Sequence, residues 1–232
     1  MTKEAVKEMT AARPECRTNQ VRSGPITLYR VFWVFFIAGV VGDIIEVVFW
    51  LVTRGELISR SSLLYGPFSI VWGLGAVLMT LAFHKSGDQS TSKIFWMGTI
   101  LGGVYEYTCS WVQELAFGVC FWDYRHLPLN LNGRVNLIFC LFWGAAAVVW
   151  VRLADPALCA FIARIPKQTG KRLARVMALF LVCSTILSAA ALYRMDQRQE
   201  GVPASGAVTQ FLDERYPDEV LQNRYRNMGH MD

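Results

Sequence analysis

Five apolar runs, separated by short polar segments, constrain the fold of this chain more than any other feature. The first covers about 28–52, and at about 1.5 Å per residue a helix of that length crosses the roughly 30 Å hydrocarbon layer of a bilayer. The others cover about 63–83, 94–117, 135–151 and 173–193. Charged residues make up 18% of the chain, against about 25% in soluble domains. The sequence therefore predicts an all-α integral membrane protein, a bundle of about five transmembrane helices.

Polar segments flank and separate these runs. Residues 1–27 are interpreted as a cytoplasmic tail, residues 28–193 as a transmembrane helical domain, and residues 194–232 as a polar C-terminal tail with one short amphipathic helix. Hydroxyl side chains at 90–92 precede the third run, where they can cap the N-terminus of its helix. The count of five spans rises to six if a re-entrant segment lies within one of the loops.

Lysine and arginine placement predicts the orientation in the membrane, because cytoplasmic loops carry an excess of these residues. Six lie in the tail up to Arg30, six lie between the fourth and fifth runs, and two lie in each of the other three loops. This pattern puts the N-terminus in the cytoplasm and the loop Phe121–Asn136 outside the cell membrane. Residues 155–172 form a basic, proline-broken connector, which faces anionic lipid or, alternatively, docks a cytoplasmic partner.

Acidic side chains inside the apolar runs are the strongest indication of a specific site. Asp43 and Glu46 share one face of the first helix because they are three residues apart, and Glu106 lies near the middle of the third run. A charge at the bilayer centre costs about 2.5–3.5 kcal/mol, so it faces the bundle interior and needs a partner. We therefore expect two ion pairs, Glu46 with Arg60 and Glu106 with Arg134. No cation is then left for Asp43.

These charges belong to a weak internal repeat. Gly42-Asp-Ile-Ile-Glu46 in the first run corresponds to Gly102-Gly-Val-Tyr-Glu106 in the third, and an arginine stands at or before the start of the next run in both cases. Further glycines recur early in the second and fourth runs, at Gly73, Gly75 and Gly144. The pattern predicts two tandem helical hairpins plus a fifth helix, although so short a match can also arise by chance. In transport folds, binding sites form where such repeats meet.

The loop Phe121–Asn136 holds the densest set of polar and aromatic residues. Trp122-Asp123-Tyr124 is typical of a membrane-interface anchor around an acid. Asn130-Leu131-Asn132-Gly133-Arg134 favours a tight turn, since Asn and Gly tolerate positive φ. Tyr65-Gly66-Pro67-Phe68 interrupts the second run, either as a helix kink or to leave carbonyls free for a ligand. The candidate site residues are Asp43, Glu46, Arg60, Tyr65, Glu106, Trp122, Asp123, Tyr124, Asn130, Asn132 and Arg134.

The cysteine and histidine patterns indicate no metal and no other cofactor. The six cysteines include no Cys-x-x-Cys pair, so they are interpreted as small apolar packing residues. The three histidines are scattered along the chain. The net charge of +5 is read as membrane topology, because no nucleic-acid-binding motif accompanies it. A Gly-x-x-x-x-Gly-Lys-Ser/Thr phosphate-binding loop is also missing from the sequence.

Several of these segments together resemble a known membrane family. They are Gly42–Glu46, Leu64–Phe68 with Gly73 and Gly75, Glu106-Tyr107, Phe117-Gly118, Trp122–Tyr124 and Asn130–Arg134, all within residues 39–150. The chain resembles the family described as "Putative ABC-transporter type IV", small multi-span bacterial proteins with animal relatives. It departs from the family at Ser59-Arg60-Ser61, where members usually read Asn-Arg-Gly. The resemblance implies a permease, and any ATPase would have to be a separate subunit.

Three functions are compatible with the sequence. The first is a permease or substrate-binding transporter component whose polar cluster binds an unknown small molecule, with membrane lipids and a separate ATPase or other subunit as partners. The second is a membrane enzyme that acts on a lipid or lipid-linked group, with Asp123 and His126 as acid and base. The third is a structural or regulatory membrane protein whose ion pairs only stabilise the bundle.

Overall fold

The computed structural model describes residues 25–84, 89–226 and 228. In these residues the chain forms seven helices and one short β hairpin. The helices are α1 (Leu28–Arg54), α2 (Ile70–Phe83), α3 (Thr91–Phe117), α4 (Leu137–Arg164), α5 (Lys167–Gln199), α6 (Ala207–Arg215) and α7 (Asp218–Arg224). The strands are β1 (Asn130–Leu131) and β2 (Val135–Asn136). Most of the predicted cytoplasmic tail lies outside the described residues.

Helices α1 and α3 are built alike, each with 27 residues. A hydroxyl group starts each helix, because the side chains of Thr27 and Ser90 accept a hydrogen bond from the first turn. Ser90 is one of the predicted caps. A glycine in the left-handed conformation ends each helix, Gly55 with φ of 70° and Gly118 with φ of 66°, as is common at helix C-termini. Both helices therefore occupy nearly the predicted ranges.

The predicted second span starts too early. Helix α2 begins at Ile70 rather than at 63, because the preceding segment folds into a compact turn around Ser61. The Ser61 hydroxyl donates to the carbonyl of Gly66 at 2.9 Å and accepts from the N–H of Phe68 at 3.1 Å. Gly66 has φ of 83°, and the proline after it disfavours a helical conformation at that position. The apolar helix is left with 14 residues, about 21 Å at 1.5 Å per residue.

Three helices, α1, α4 and α5, are long and apolar enough to cross a membrane. Helix α2 is apolar but shorter, and α3 is long but carries Lys93, Glu106 and Glu114. The all-α membrane architecture is confirmed, whereas the count of five spans stays a prediction. Large apolar side chains are exposed along the outer faces of the helices, among them Ile100, Leu115, Phe142 and Ile186. Such a surface favours contact with lipid or with another protein.

Helix α4 continues past the predicted end of the fourth span and into the predicted connector. It consists of an α-helix over Leu137–Val149, a π-helical turn over Trp150–Ala154 and an α-helix over Asp155–Arg164. Pro156 fits in this helix because the π turn shifts the hydrogen-bond register just before it, where the missing proline N–H would otherwise break a bond. The connector at 155–172 is therefore mostly helical, and only Ile165 and Pro166 separate α4 from α5.

The long helices pack as two hairpins with α5 alongside. Helix α1 packs mainly against α2, and α3 mainly against α4, while α5 contacts both α1 and α3. Arg30, in the first turn of α1, donates to both carboxylate oxygens of Asp155 on α4, at 2.8 and 3.1 Å. This pair links the two hairpins at the end of the bundle opposite to the long loops.

Helices α6 and α7 fold back onto the end of α5, where the sequence predicted a single short helix. Their shared apolar cluster comprises Ala191, Leu192, Met195, Leu212, Tyr216, Leu221 and Tyr225. Arg194 and Arg198 bind Asp213 at 2.8 and 2.5 Å, and they lower the pKa of its carboxyl from 3.8 to about 2. Arg224 donates to the carbonyl of Leu63 at 2.6 Å. The C-terminal part thus lies at the same end of the bundle as the long loops.

Candidate functional site

The two hairpins make the same close contact at the glycine that begins each repeat. Gly42 of α1 lies against the indole of Trp72, and Gly102 of α3 lies against that of Trp143. A Cβ atom at either glycine would stand 2.2 Å from the tryptophan side chain, far inside van der Waals contact. Each repeat therefore places its glutamate one turn beyond a contact between glycine and tryptophan.

The glycine that follows each tryptophan also packs against the partner helix. Gly73 would place a Cβ atom 2.8 Å from the carbonyl oxygen of Phe35, and Gly144 would place one 2.8 Å from that of Phe95. The repeat pattern in the sequence included these glycines but missed the tryptophans. The Trp-Gly dipeptide at both positions is a signal that could have revealed them. The matching contacts support two tandem hairpins.

The hairpins meet through these tryptophans. The rings of Trp72 and Trp143 lie 6.2 Å apart between centroids, at an angle of 35°. Tyr105 packs edge-on against Trp143, with 5.6 Å between ring centroids, and donates a hydrogen bond to the carbonyl of Val71 at 2.6 Å. Aromatic side chains therefore form the contact between the two repeats.

Glu46 has a donor on each carboxylate oxygen. Its Oε2 accepts from Nε of Arg60 at 2.9 Å, so the predicted ion pair is present. Its Oε1 accepts from the indole N–H of Trp72 at 2.5 Å. The guanidinium of Arg60 also lies over the ring of Trp50, 5.3 Å from its centroid. This acid is held by partners from the first hairpin alone.

Glu106 has a well-placed donor on one oxygen. Its Oε1 accepts a hydrogen bond from the hydroxyl of Tyr124 at 2.7 Å. Its Oε2 has no hydrogen-bond partner among the described residues, although the indole of Trp143 lies near the carboxyl group. The residue is 8% exposed. A buried carboxylate oxygen without a donor has lost its hydration without replacement, so this atom requires a functional or structural explanation.

The predicted ion pair between Glu106 and Arg134 is wrong. Arg134 binds Glu114, two turns further along α3, and its other terminal nitrogen lies 3.4 Å from the hydroxyl of Ser110. The cause is the position of the β hairpin beside the C-terminal half of α3. The indole of Trp122 holds the carbonyl of Arg134 there, at 3.0 Å, and from that position the side chain reaches Glu114.

The β hairpin closes with the predicted Asn-Gly turn. Asn132 and Gly133 both have positive φ, 53° and 69°, as the central residues of a type I′ turn do, and the N–H of Arg134 donates to the carbonyl of Leu131 at 3.0 Å. The side chain of Asn130 accepts from the N–H of Gly133 at 2.9 Å, and that of Asn132 donates to the hydroxyl of Tyr107 at 3.1 Å. The two candidate asparagines therefore stabilise the shape of the loop and its position on α3.

Asp123 and Tyr124 are adjacent in sequence but point to different partners. Asp123 binds the backbone N–H of Arg125 at 2.9 Å and its Nε at 2.8 Å, which lowers the pKa of this carboxyl below its usual range. Tyr124 stacks on Phe139, with 4.6 Å between ring centroids, and bonds to Glu106. Tyr124 is therefore part of the wall beside that acid.

A cavity of about 770 Å³ lies where the helices α1 to α4 and the Phe121–Asn136 loop meet, and we call it the interhairpin cavity. Both repeat glutamates line it, Glu46 and Glu106, together with Arg60, Asp123 and His126. Its aromatic lining comprises Phe49, Trp50, Trp72, Phe121, Trp122, Tyr124, Phe139, Phe142 and Trp143. Small-molecule sites have volumes of about 300–1,000 Å³ and mostly apolar walls with a few polar groups. The cavity matches that description.

Five candidate residues lie outside the lining of this cavity: Asp43, Tyr65, Asn130, Asn132 and Arg134. The last three line a separate polar cavity of about 470 Å³. The hydroxyl of Tyr65 lies 2.8 Å from that of Tyr216 in the C-terminal part. Asp43 is 3% exposed, and its Oδ1 has no hydrogen-bond partner among the described residues. The structure thus divides the predicted cluster into an aromatic cavity lined by three acids, Glu46, Glu106 and Asp123, and a polar loop region.

Comparison with known proteins agrees with the resemblance seen in the motifs. The family model described as "Putative ABC-transporter type IV" matches residues 33–189, more than half of the chain. No curated protein and no solved structure matches the chain. The matched range begins in α1 and ends in α5, so it includes both hairpins and the interhairpin cavity. The chain therefore belongs to the membrane protein family described as "Putative ABC-transporter type IV".

Proposed function

We propose that this protein is a multi-pass, permease-like membrane component that binds a small-molecule substrate in the interhairpin cavity. The observation that carries the proposal is that the glutamates of both repeats, Glu46 and Glu106, line this one cavity. Transport folds built from repeats hold their substrates where the repeats meet. Membership of an ABC-transporter family supports a role in transport, together with other subunits.

The two acids have different roles in this proposal. Glu46 is bonded to Arg60 and Trp72, so it stabilises the first hairpin and the wall of the cavity. Glu106 keeps an oxygen without a donor, so it is the acid that contacts the substrate. Glu46, which is in an ion pair, has a donor on each oxygen instead. This asymmetry favours a binding site over a purely structural protein.

The interhairpin cavity faces the outer side of the membrane in this proposal. It lies at the end of the bundle that carries the long loops and the C-terminal helices, as the contact between Phe121 and Tyr225 indicates. The described chain enters the bundle at the opposite end, and both the sequence up to Arg30 and the segment 155–172 are rich in lysine and arginine, which favours a cytoplasmic location for that end. A separate ATPase or another subunit would dock there.

A membrane enzyme that uses Asp123 and His126 as acid and base has less support. Both carboxylate oxygens of Asp123 bind Arg125, and the pKa of this acid is lowered. A carboxylate with a low pKa is a weak general base at neutral pH, because efficient proton transfer needs a pKa near the working pH. The permease-like function therefore fits the geometry better.

Thermal-shift screening of a small-molecule library tests the substrate site, with the protein in lipid nanodiscs. A ligand of the cavity is expected to raise the Tm of the wild type and of Glu114→Gln, whose acid lies outside the cavity, but not that of Glu106→Gln. A ligand at a hundredfold excess over its Kd stabilises a protein by about 2.7 kcal/mol, which such a screen detects. Hits that stabilise Glu106→Gln as much as the wild type would place the binding site elsewhere.

Cysteine labelling tests where the cavity opens. Leu127 lines the cavity, and Leu127→Cys is introduced in a chain whose native cysteines are replaced by serine. A membrane-impermeant maleimide is expected to label intact cells, and a hit from the screen is expected to protect the cysteine. Labelling that needs permeabilised cells would reverse the proposed orientation. Labelling that no hit slows would argue against binding in this cavity.

A further inference from the structure

We infer that the ligand of the interhairpin cavity is a lipophilic cation, a molecule with an ammonium group on an apolar body. This inference rests on the proposed function and names the ligand class for the same site. Three features of the cavity carry it. They are the oxygen of Glu106 that has no donor, the aromatic lining beside this acid, and the exposed apolar side of the cavity.

Glu106 is a buried acid whose expected cations are already engaged. Arg60 binds Glu46, and Arg134 binds Glu114. An acid at membrane depth is costly unless it finds a partner, and the hydroxyl of Tyr124 satisfies one oxygen of Glu106 but supplies no charge. A cationic ligand in the cavity provides the missing partner.

Aromatic rings surround the place where such a cation would lie. Tyr124, Phe139 and Trp143 line the cavity beside the acid. Ring faces attract ammonium and guanidinium groups within about 6 Å of their centroids. The same cavity already shows this contact, because the guanidinium of Arg54 lies 4.7 Å from the ring centroid of Trp50. Carboxylate and ring faces together suit an organic cation better than a small hydrated metal ion.

Besides its outer end, the cavity has an exposed apolar side between α1 and α4, which faces lipid in this proposal. Ile45, Phe49 and Phe142 line it, yet they are 51%, 61% and 62% exposed in the isolated chain. Large apolar side chains that are exposed on a membrane helix face hydrocarbon. A ligand that reaches the cavity from this side is therefore soluble in the membrane, which requires an apolar body.

The arginines of the cavity do not form an anion site. Arg60 is neutralised by Glu46, whose Oε2 lies 2.9 Å from its Nε. Arg54 is exposed at the end of α1, where its guanidinium lies over Trp50. Glu106 is the acid left without a cation in the buried part of the cavity, and it offers an anion no counter-charge.

The ammonium group can come from two sources. A free amine can enter the cavity, and so can the choline or ethanolamine headgroup of a lipid, because the exposed apolar side between α1 and α4 admits both. The chemistry that Glu106 and the rings recognise is the same in each case. The lipid composition of the membrane distinguishes the two sources.

Tetraphenylphosphonium and tetraphenylborate test the inference, because they share one shape and carry opposite charges. The protein is placed in nanodiscs of phosphatidylglycerol, which has no ammonium group, and binding is measured by equilibrium dialysis against empty nanodiscs. The wild type is expected to bind tetraphenylphosphonium saturably and tetraphenylborate not at all. Glu106→Gln is expected to bind tetraphenylphosphonium about thirtyfold or more weakly, since it removes a buried charge partner. Glu114→Gln is expected to bind like the wild type.

Ala146→Trp is a second variant, which fills the cavity from α4 without changing a charge, and it is expected to abolish binding. Three results would each overturn the inference. They are a lack of saturable tetraphenylphosphonium binding, equal binding of the two ions, and binding by Glu106→Gln that equals the wild type. Thermal-shift hits that need Glu106 but carry no positive charge also overturn it, and they leave the proposed function standing. Weaker binding after phosphatidylethanolamine is added supports the inference with a lipid headgroup as ligand, and unchanged binding supports it with a free amine.

Discussion

The hairpin of α1 and α2 and the hairpin of α3 and α4 pack through the same contacts, yet they satisfy their glutamates differently. Glu46 of the first hairpin has a guanidinium on one oxygen and an indole on the other. Glu106 of the second has the hydroxyl of Tyr124 on one oxygen, and its other oxygen has no partner within the described part of the chain. Glycine–tryptophan packing recurs in both repeats while the polar partners differ. The packing of the helices and the polar partners of the glutamates are therefore separable features of the repeat.

The connections between the helices explain the difference. The first connection, 55–69, is a compact turn that brings Arg60 to Glu46. The second connection, 118–136, contains the β hairpin, and its arginine emerges beside Glu114 instead. Tyr124, from the same connection, then reaches Glu106. With this longer connection, the second glutamate receives a neutral hydroxyl donor, whereas the first receives a cation.

The largest expected effect comes from the contact that the two hairpins share. Gly42→Ala and Gly102→Ala each place a Cβ atom 2.2 Å from a tryptophan side chain, so each is expected to destabilise the protein by about 3 kcal/mol or more, the upper end for overpacked cores. Thermal unfolding in detergent and the yield of monodisperse protein measure this. Gly206→Ala is the control, because a Cβ atom there meets nothing within 4 Å. Loss of stability in one variant alone would break the equivalence of the hairpins.

The two glutamates are expected to respond in opposite ways when their charges are changed. Arg60→Ala leaves Glu46 without its cation and is expected to cost about 2–3 kcal/mol. This is less than for a fully buried pair, because the two side chains are 16% and 28% exposed. Glu106→Gln removes a buried acid that has no cation, and the stability of this variant is expected to lie within about 0.5 kcal/mol of that of the wild type, or above it.

Chemical unfolding of both variants measures this contrast. The double variant Arg60→Ala with Glu46→Gln is expected to recover part of the lost stability, because the buried charge is gone as well. If Glu106→Gln proves as unstable as Arg60→Ala, both acids have a structural role.

The two connections are also expected to differ in what stabilises them. Arg224 donates to the carbonyls of Leu63 and Gly66, at 2.6 and 2.8 Å, and to the hydroxyl of Ser59 at 2.9 Å. Arg224→Ala is expected to reduce the protection of amides at 59–69 by about 1–2 kcal/mol, because the carbonyls lose their donor. Hydrogen exchange read by mass spectrometry measures it.

The second connection provides the internal reference for this experiment. Amides at 121–136 are expected to keep their protection in Arg224→Ala, since that loop is held by its own side chains. Arg226→Ala is the matched control, because Arg226 is exposed. Equal loosening of both connections would show that the C-terminal helices stabilise the whole end of the bundle.

The smallest expected effect shows which acid, Glu114 or Glu106, pairs with Arg134. A double-mutant cycle between Arg134→Gln and Glu114→Gln is expected to give a coupling energy of about 0.5–1 kcal/mol, as for partly exposed pairs. The cycle with Glu106→Gln is expected to give a value near zero, because these two residues do not pair. Equilibrium unfolding of the single and double variants supplies both values. A larger coupling with Glu106 would contradict the assignment of Glu114 as partner.

Features that depend on a few consecutive residues were predictable. Ser90 caps α3, and Asn132 and Gly133 form the turn of the β hairpin, because capping and turn chemistry act within a few residues. The start of α2 was predicted wrongly, at 63, although Gly66 and Pro67 are both helix-breaking signals. The apolar residues before them, such as the fully buried Leu63, made the span look longer than the helix is.

Features that depend on how helices face one another were predicted in part. The ion pair of Glu46 with Arg60 is present, whereas Arg134 pairs with Glu114. Both arginines follow the glutamate of their repeat, so spacing alone could not distinguish the two outcomes. The pairing depends on the position along the helix axis at which each connection brings its arginine back to the bundle. In the second connection, the β hairpin sets this position because it packs on α3 as a unit.

The sequence by itself determined the class of the protein, a helical membrane protein with a repeated Gly-x-x-x-Glu segment, because apolar length and local spacing are properties of consecutive residues. Only the tertiary structure decided that Glu106 keeps an unpartnered oxygen in an aromatic cavity. It also decided that Arg224 binds the carbonyl of Leu63, 161 positions away. Such contacts depend on helix rotation and on how distant segments return to the bundle, and burial in the assembled helices sets their energies.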